Sequence, residues 1–395
     1  MTDERTTARA GAAGAEIGPD TSTDAGPDTS TDTGPEAAQA GPRTARNRGA
    51  AWTLVVLTPL IAELALGSTP VRMAWLVLLW MPVYGAGVLL IRELVARRGR
   101  GWPSILLLAL AYELVEDGIG LQALTSPHLY DAASWGARVL GVNLPYFEAN
   151  AIYHAVFTVC IPITLTNLLF PAHRGRPYLG VPGTVVAAIV AVLGVGLLRT
   201  VSLSEDAGYQ APVPFVLGVA VLVVVLGIVA LYVVPPVRGR AAPGDAAAPG
   251  DAAAPGDPAA APGRADVRAG AGSASVPSRG VLFGASGLAT LVFFGLSFPV
   301  FGARQPAFTQ GWLVLVPMAL TAVGAVACYR YLTRTAARPG WTPRHTLALV
   351  GGALVAHSLG GLVIMAHTTV DRVGLVVIIG LTVGGLLLVD RRLRR

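Results

Sequence analysis

Long apolar runs, each closed by a short polar or arginine-bearing break, recur along the chain from residue 50 onward. A run of about 20 apolar residues, at 1.5 Å rise per residue, matches the ~30 Å hydrocarbon core of a bilayer, so each run predicts a membrane-spanning helix. Ten spans are expected, over 50–68, 73–95, 102–123, 149–171, 179–200, 213–235, 281–301, 311–333, 345–367 and 373–390. Pro59, Pro82, Pro162 and Pro317 lie inside these runs and predict kinks, which neighbouring helices tolerate by satisfying the freed backbone groups. Gly380 and Gly384 form a GxxxG pair on the last span, and glycines crowd the ninth, a pattern that predicts close helix packing. The expected fold class is all-α, a polytopic transmembrane helical bundle.

Two polar segments interrupt the pattern. GPDTSTDA at 18–25 recurs as GPDTSTDT at 26–33, and APGDAA starts at 242 and 248, then again at 254 as APGDPA. Neither segment can bury enough apolar surface to offset the entropy of ordering, so both are expected to be disordered. The predicted organisation is a disordered cytoplasmic tail over 1–48, helices one to six with a polar site over 49–236, a disordered cytoplasmic linker over 237–279, and helices seven to ten over 280–395. The tail is too long and too acidic for the first region of a signal peptide, so no cleavage is expected. The stretch DAASWGARVLGV, starting at 131, predicts a short interfacial helix with Trp135 at the headgroup level. No loop between spans is large enough for a soluble catalytic domain, which leaves the membrane as the place for any chemistry.

Charge sharpens the topology. Only 13% of the residues are charged and 53% are hydrophobic, against about 25% charged in a soluble protein. All 29 basic residues are arginine, which with abundant Ala, Gly, Pro and Val resembles the usage of GC-rich bacteria. With the N-terminal tail inside and the spans alternating, 24 arginines fall on the cytoplasmic side and five, Arg72, Arg138, Arg199, Arg304 and Arg372, on the outer side. That asymmetry is the positive-inside pattern, and it predicts a bacterial plasma-membrane protein with both termini cytoplasmic. The net charge of +6 therefore needs no nucleic-acid partner. The expected partners are the lipid bilayer and a small solute or ion. Arg92 and Glu93, beside Arg97 and Arg98, are expected to be a solvated interfacial pair. Cys160 and Cys328 lie in spans without metal-ligand spacing and read as small hydrophobes.

Ionisable residues inside a span are costly and mark candidate sites. Glu63 lies mid-span in LIAELALG, the third span holds Glu113, Glu116 and Asp117 in AYELVEDGIG, and the fourth holds Asn150 and His154 in EANAIYHAVFTV. Glu113, Glu116 and Asp117 share one helix face, and Asn150, His154 and Thr158 form a stripe at four-residue spacing. Depth counted along the helices brings these groups together in the outer half of the bilayer. Three carboxylates within two turns cannot all stay ionised unless a metal, a proton or a substrate cation sits among them. The structural alternative is hydrogen bonding among themselves and to backbone. VAHSLGGLV at 355–363 places Ser358 as in a nucleophile elbow, but a continuous apolar span offers no strand–turn–helix corner. His357 reads instead as a packing or pathway-lining residue.

At the third and fourth spans the chain resembles the intramembrane proteases that process CAAX proteins and bacteriocins. That family sets two adjacent acidic residues on one helix and histidines on later helices to activate water, which implies Glu116, Asp117 and His154 as catalytic candidates. Leu121 stands where that family carries arginine, and its histidine with asparagine four residues on is not found. The rest resembles multi-span membrane proteins of GC-rich bacteria. The leading expectation is a transporter or permease-like protein whose pathway is lined by Glu63, Glu113, Glu116, Asp117, Asn150, His154 and His357. An intramembrane hydrolase and a non-catalytic scaffold are the alternatives. The sequence requires no cofactor and leaves the identity of any metal open.

Overall fold

A computed structural model describes residues 46–129, 135–237, 275–298 and 311–395. The repetitive parts of the expected tail and linker, and Arg304, lie outside these described residues.

The described chain forms ten helical rods. The first, α1, is Arg48–Pro59 continued by a π-helical turn Leu60–Leu64. Next are α2 (Val71–Arg97) and α3, which is Trp102–Glu113 continued by π-helical Leu114–Gly120. The remainder are α4 (Leu144–Leu169), α5 (Val181–Glu205), α6 (Val213–Val233), α7 (Arg279–Ser297), α8 (Trp312–Ala336), α9 (Pro343–Ile364) and α10 (Thr369–Arg392). The protein is a multi-pass membrane protein, and α2 and α4 to α10 are long and apolar enough to cross a bilayer. Both rods outside that group bear the acidic residues singled out above. α1 is short, and α3 carries Glu113, Glu116 and Asp117.

Prolines set where regular helix gives way. Pro59 precedes the π turn of α1, Pro82 lies in the π turn Met81–Ala86 of α2, and Pro162 follows the π turn His154–Cys160 of α4. A proline lacks the N–H of the regular ladder, so the helix reorganises beside it. Pro317 instead stands in the first helical turn of α8, where a missing N–H costs no internal bond.

Packing is densest around α4 and α9, in each of which 61% of the central window is buried, against 6% in α10. One apolar core joins α1 to α6, with Leu54, Val88, Ala109, Leu124 and Val159. A second joins α1, α4, α7 and α9 through Ile61, Phe157, Phe294 and Leu354. Two glycines of α9 permit this contact. A Cβ on Gly352 would overlap the Phe283 carbonyl of α7, and one on Gly361 the Leu66 carbonyl after α1. The last helix differs from expectation. Nothing lies within 4 Å of a Cβ built at Gly380 or Gly384, so this GxxxG pair packs against no described residue.

Two further expectations are corrected. Residues 138–143 form a small hairpin rather than an interfacial helix, with β1 (Arg138–Val139) antiparallel to β2 (Val142–Asn143). Leu140 and Gly141 take positive φ at the turn, the geometry that tight hairpins need. Trp135 is buried against Tyr146 rather than set among headgroups. Arg92 and Glu93 are also buried, because the loop between α4 and α5 folds over them. Arg92 donates to Glu93 at 2.9 Å and to the carbonyls of His173 and Arg176 at 2.9 and 2.6 Å. Its guanidinium lies 3.1 Å from the centroid of the Tyr178 ring. Glu93 also accepts the backbone N–H groups of Tyr178 and Leu179, at 2.6 and 3.1 Å.

Candidate functional site

Four π-helical turns converge on one polar centre. Leu60–Leu64 presents Glu63, Met81–Ala86 presents Tyr84, Leu114–Gly120 presents Glu116 and Asp117, and His154–Cys160 presents His154 and Thr158. Glu113 is the last α-helical residue before the π turn of α3. Such turns are over-represented at functional sites, because they re-aim side chains that a regular helix would direct elsewhere.

Glu113, Glu116, Asp117 and His154 are at most 5% exposed. The imidazole stands between the acids, with Nε2 3.5 Å from Glu113 and Nδ1 3.5 Å from Glu116. Nδ1 also pairs with the Thr158 hydroxyl at 3.0 Å. Asp117 receives one hydrogen bond, from the Tyr146 hydroxyl at 3.3 Å. One ligand atom each from Glu113, Asp117 and His154 lies within 4.8 Å of the other two. Both oxygens of Glu113, one of Glu116, one of Asp117 and the Tyr112 hydroxyl are buried without a hydrogen-bond partner. Buried polar atoms are nearly always paired, so an orphaned group in a native site calls for an explanation such as an ion.

Tyrosines wall the centre. The Tyr84 and Tyr112 rings lie 6.3 and 5.7 Å from the His154 ring, and Tyr153 meets it edge-on at 5.5 Å. In an apolar run such rings look like bulk, although Tyr112 adjoins Glu113, and Tyr146 extends the Asn150–His154–Thr158 stripe by one more four-residue step. That step was the available signal.

The other anticipated residues lie around this centre in different relations. Glu63 is half-buried and accepts from Tyr84 at 2.5 Å, from Ser68 at 2.8 Å and from Thr69 at 2.9 Å. Tyr84 joins it to the centre, since the ring whose hydroxyl it binds lies 6.3 Å from that of His154. Asn150 turns its amide to the Tyr146 carbonyl of its own helix at 3.0 Å and makes no bond to the acids. His357 is buried on the far side of Tyr153, stacked 4.4 Å from the Phe157 ring, with Nε2 3.1 Å from the Tyr153 hydroxyl. Tyr153 gives its own proton to the Ala62 carbonyl, so His357 is the donor in that pair. Asn150 and His357 thus flank the centre without entering it.

The model of an uncharacterized membrane protein family matches residues 53–389, a range that takes in all four π turns of the centre and most of every rod. The chain belongs to that family. Comparison with curated proteins and with solved structures gives no match. For this family member, chemistry must therefore be argued from the residues in place.

Proposed function

We propose that this membrane protein is a metal-dependent intramembrane hydrolase, in which Glu113, Asp117 and His154 hold one divalent cation. The observation that carries the reading is the meeting of three buried ligand atoms within 4.8 Å, with both Glu113 oxygens lacking a hydrogen-bond partner. Uncompensated buried carboxylates are costly, and a dication supplies the missing charge. A modest closing of the present arrangement would bring all three ligand atoms onto one ion. One imidazole with two carboxylates suits Zn²⁺, Mn²⁺ or Fe²⁺.

Three protein ligands leave a coordination position for water, whose proton the metal makes acidic. Glu116, outside the triad and 3.5 Å from Nδ1 at the other edge of the imidazole, is the remaining buried carboxylate of the centre and would accept that proton. A metal held by these residues would supply an activated water for hydrolysis of a membrane-embedded ester or amide, and Glu116 would return the proton to the leaving oxygen or nitrogen as its bond to carbon breaks. Thr158 on Nδ1 holds the ring so that Nε2 faces the metal, and Tyr146 orients Asp117. This reading keeps the resemblance to intramembrane proteases but redistributes its roles. Glu113, rather than Glu116, joins Asp117 and His154. The arginine asymmetry turns the centre toward the cell exterior.

Cation-coupled transport is the second reading, favoured by the contact of Glu63 with exposed Ser68. Metal analysis of the purified full chain, followed by flux and hydrolysis assays, separates the two. The wild type is expected to hold one equivalent of a divalent metal, lost in Glu113→Gln and His154→Ala. Wild-type protein that carries no stoichiometric metal after production and purification with divalent metals supplied would sink the reading. Passage of that metal into proteoliposomes, without cleavage of a lipid ester or an apolar peptide, would favour transport.

A further inference from the structure

Glu63 differs from the other acids of the centre in being saturated and in reaching the surface. It accepts three hydroxyl hydrogen bonds and gives none, the pattern of a carboxylate among neutral donors. Two of the donors belong to the turn after α1, where Ser68 is exposed and Thr69 is buried and receives the Trp80 indole N–H at 3.1 Å. The third, Tyr84, is buried, lies within electrostatic reach of Glu116 and stacks near His154.

The length of α1 explains this opening. Its 12 α-helical and 5 π-helical residues span about 25 Å at 1.5 Å per residue, less than the ~30 Å apolar core. The chain thus leaves helix early, and the turn that follows carries exposed Ser68. Gly361 of α9 seats the Leu66 carbonyl and holds the turn in place.

We infer that Glu63, with Ser68, Thr69 and Tyr84, is the port by which a divalent cation is dehydrated and passed to Glu113, Asp117 and His154. The inference rests on the metal reading above. Each hydroxyl that now donates to Glu63 can rotate and offer a lone pair, so an arriving ion exchanges water for one carboxylate and up to three hydroxyl oxygens. Hard divalent cations favour such oxygen ligands. Tyr84 leads inward, since its hydroxyl meets Glu63 and its ring lies 6.3 Å from that of His154.

Loading kinetics test this. Chelator-stripped full-length protein in nanodiscs is mixed with Mn²⁺ for set times, quenched with EDTA, separated and analysed for metal. Glu63→Gln is expected to load at least tenfold more slowly than wild type yet reach the same final content. Tyr84→Phe, which keeps the ring beside His154, is expected to be slowed by a smaller factor, and it carries the test alone if Glu63→Gln does not fold. Wild-type loading rates in both variants overturn the port. A reduced final content in Glu63→Gln also overturns it, by placing Glu63 in the ligand set. Wild-type protein that takes up no Mn²⁺ overturns the metal reading and the port together, an outcome distinct from normal wild-type uptake with unaltered mutant rates.

Discussion

Arg92 with Glu93 at one end of α2, and Glu113, Glu116, Asp117 and His154 on α3 and α4, are two charged groups buried within the same set of helices. In the first, both oxygens of Glu93 receive hydrogen bonds, and Arg92 divides its donors between Glu93 and two loop carbonyls. In the second, Glu113 receives none, and no arginine pairs with any of the three acids among the described residues. The first is a closed arrangement that ties the loop between α4 and α5 to α2. The second is an open one whose unspent acceptors face one another. Burial and charge are common to both, so neither marks a site. The marker is the set of acceptors left over after the protein's own donors are counted.

The sharpest way to break this contrast is to remove one partner from the closed group. Arg92→Ala leaves buried Glu93 with only the more distant Arg97, 3.7 Å away, as its cation, and is expected to cost about 3 kcal/mol, read as lost folded yield and a lower midpoint of denaturation. An unchanged midpoint would mean that the arrangement is not structural.

Glu113→Leu should act with the opposite sign. In chelator it relieves an unsatisfied buried acid and is expected to stabilise by about 1–3 kcal/mol, while abolishing metal content. Saturating metal then raises the wild-type midpoint, by about 2.7 kcal/mol at a hundredfold excess over Kd, and leaves Glu113→Leu unmoved. Destabilisation by Glu113→Leu in chelator would contradict the open-site description. Thr158→Val keeps the side-chain shape but frees Nδ1 of His154, and is expected to weaken metal affinity about 10–100-fold in chelator competition with little change in melting. The smallest effect belongs to Asn150→Ala. Its amide bonds only to its own helix, so stability should shift by no more than about 0.5 kcal/mol and metal content should hold.

The ten rods were legible because apolar runs bounded by arginines and glycines report directly on span length. α1 nonetheless ends at Leu64 rather than near 68, since Pro59 and the following π turn draw the chain into a bend that periodicity does not show. Glu113, Glu116, Asp117 and His154 were legible as a group from spacing and depth. What spacing could not reveal was direction. Asn150 shares the stripe of His154, yet a backbone carbonyl one turn away satisfies it. Arg92 and Glu93 looked solvated beside Arg97 and Arg98, and only a loop some 80 residues further on covers them. The tyrosine wall went unseen because a tyrosine in an apolar run reads as bulk, and its hydroxyl gains meaning only from a partner on another helix.

Tyr153 binds the carbonyl of Ala62, the residue before Glu63, and is itself held by His357 of α9. α9 thus bears on the spacing between α1 and α4, while no described residue of the C-terminal half enters the centre. A change at His357, or at Gly361 beneath the Leu66 carbonyl, would be felt at a polar centre two hundred or more positions upstream, through packing alone.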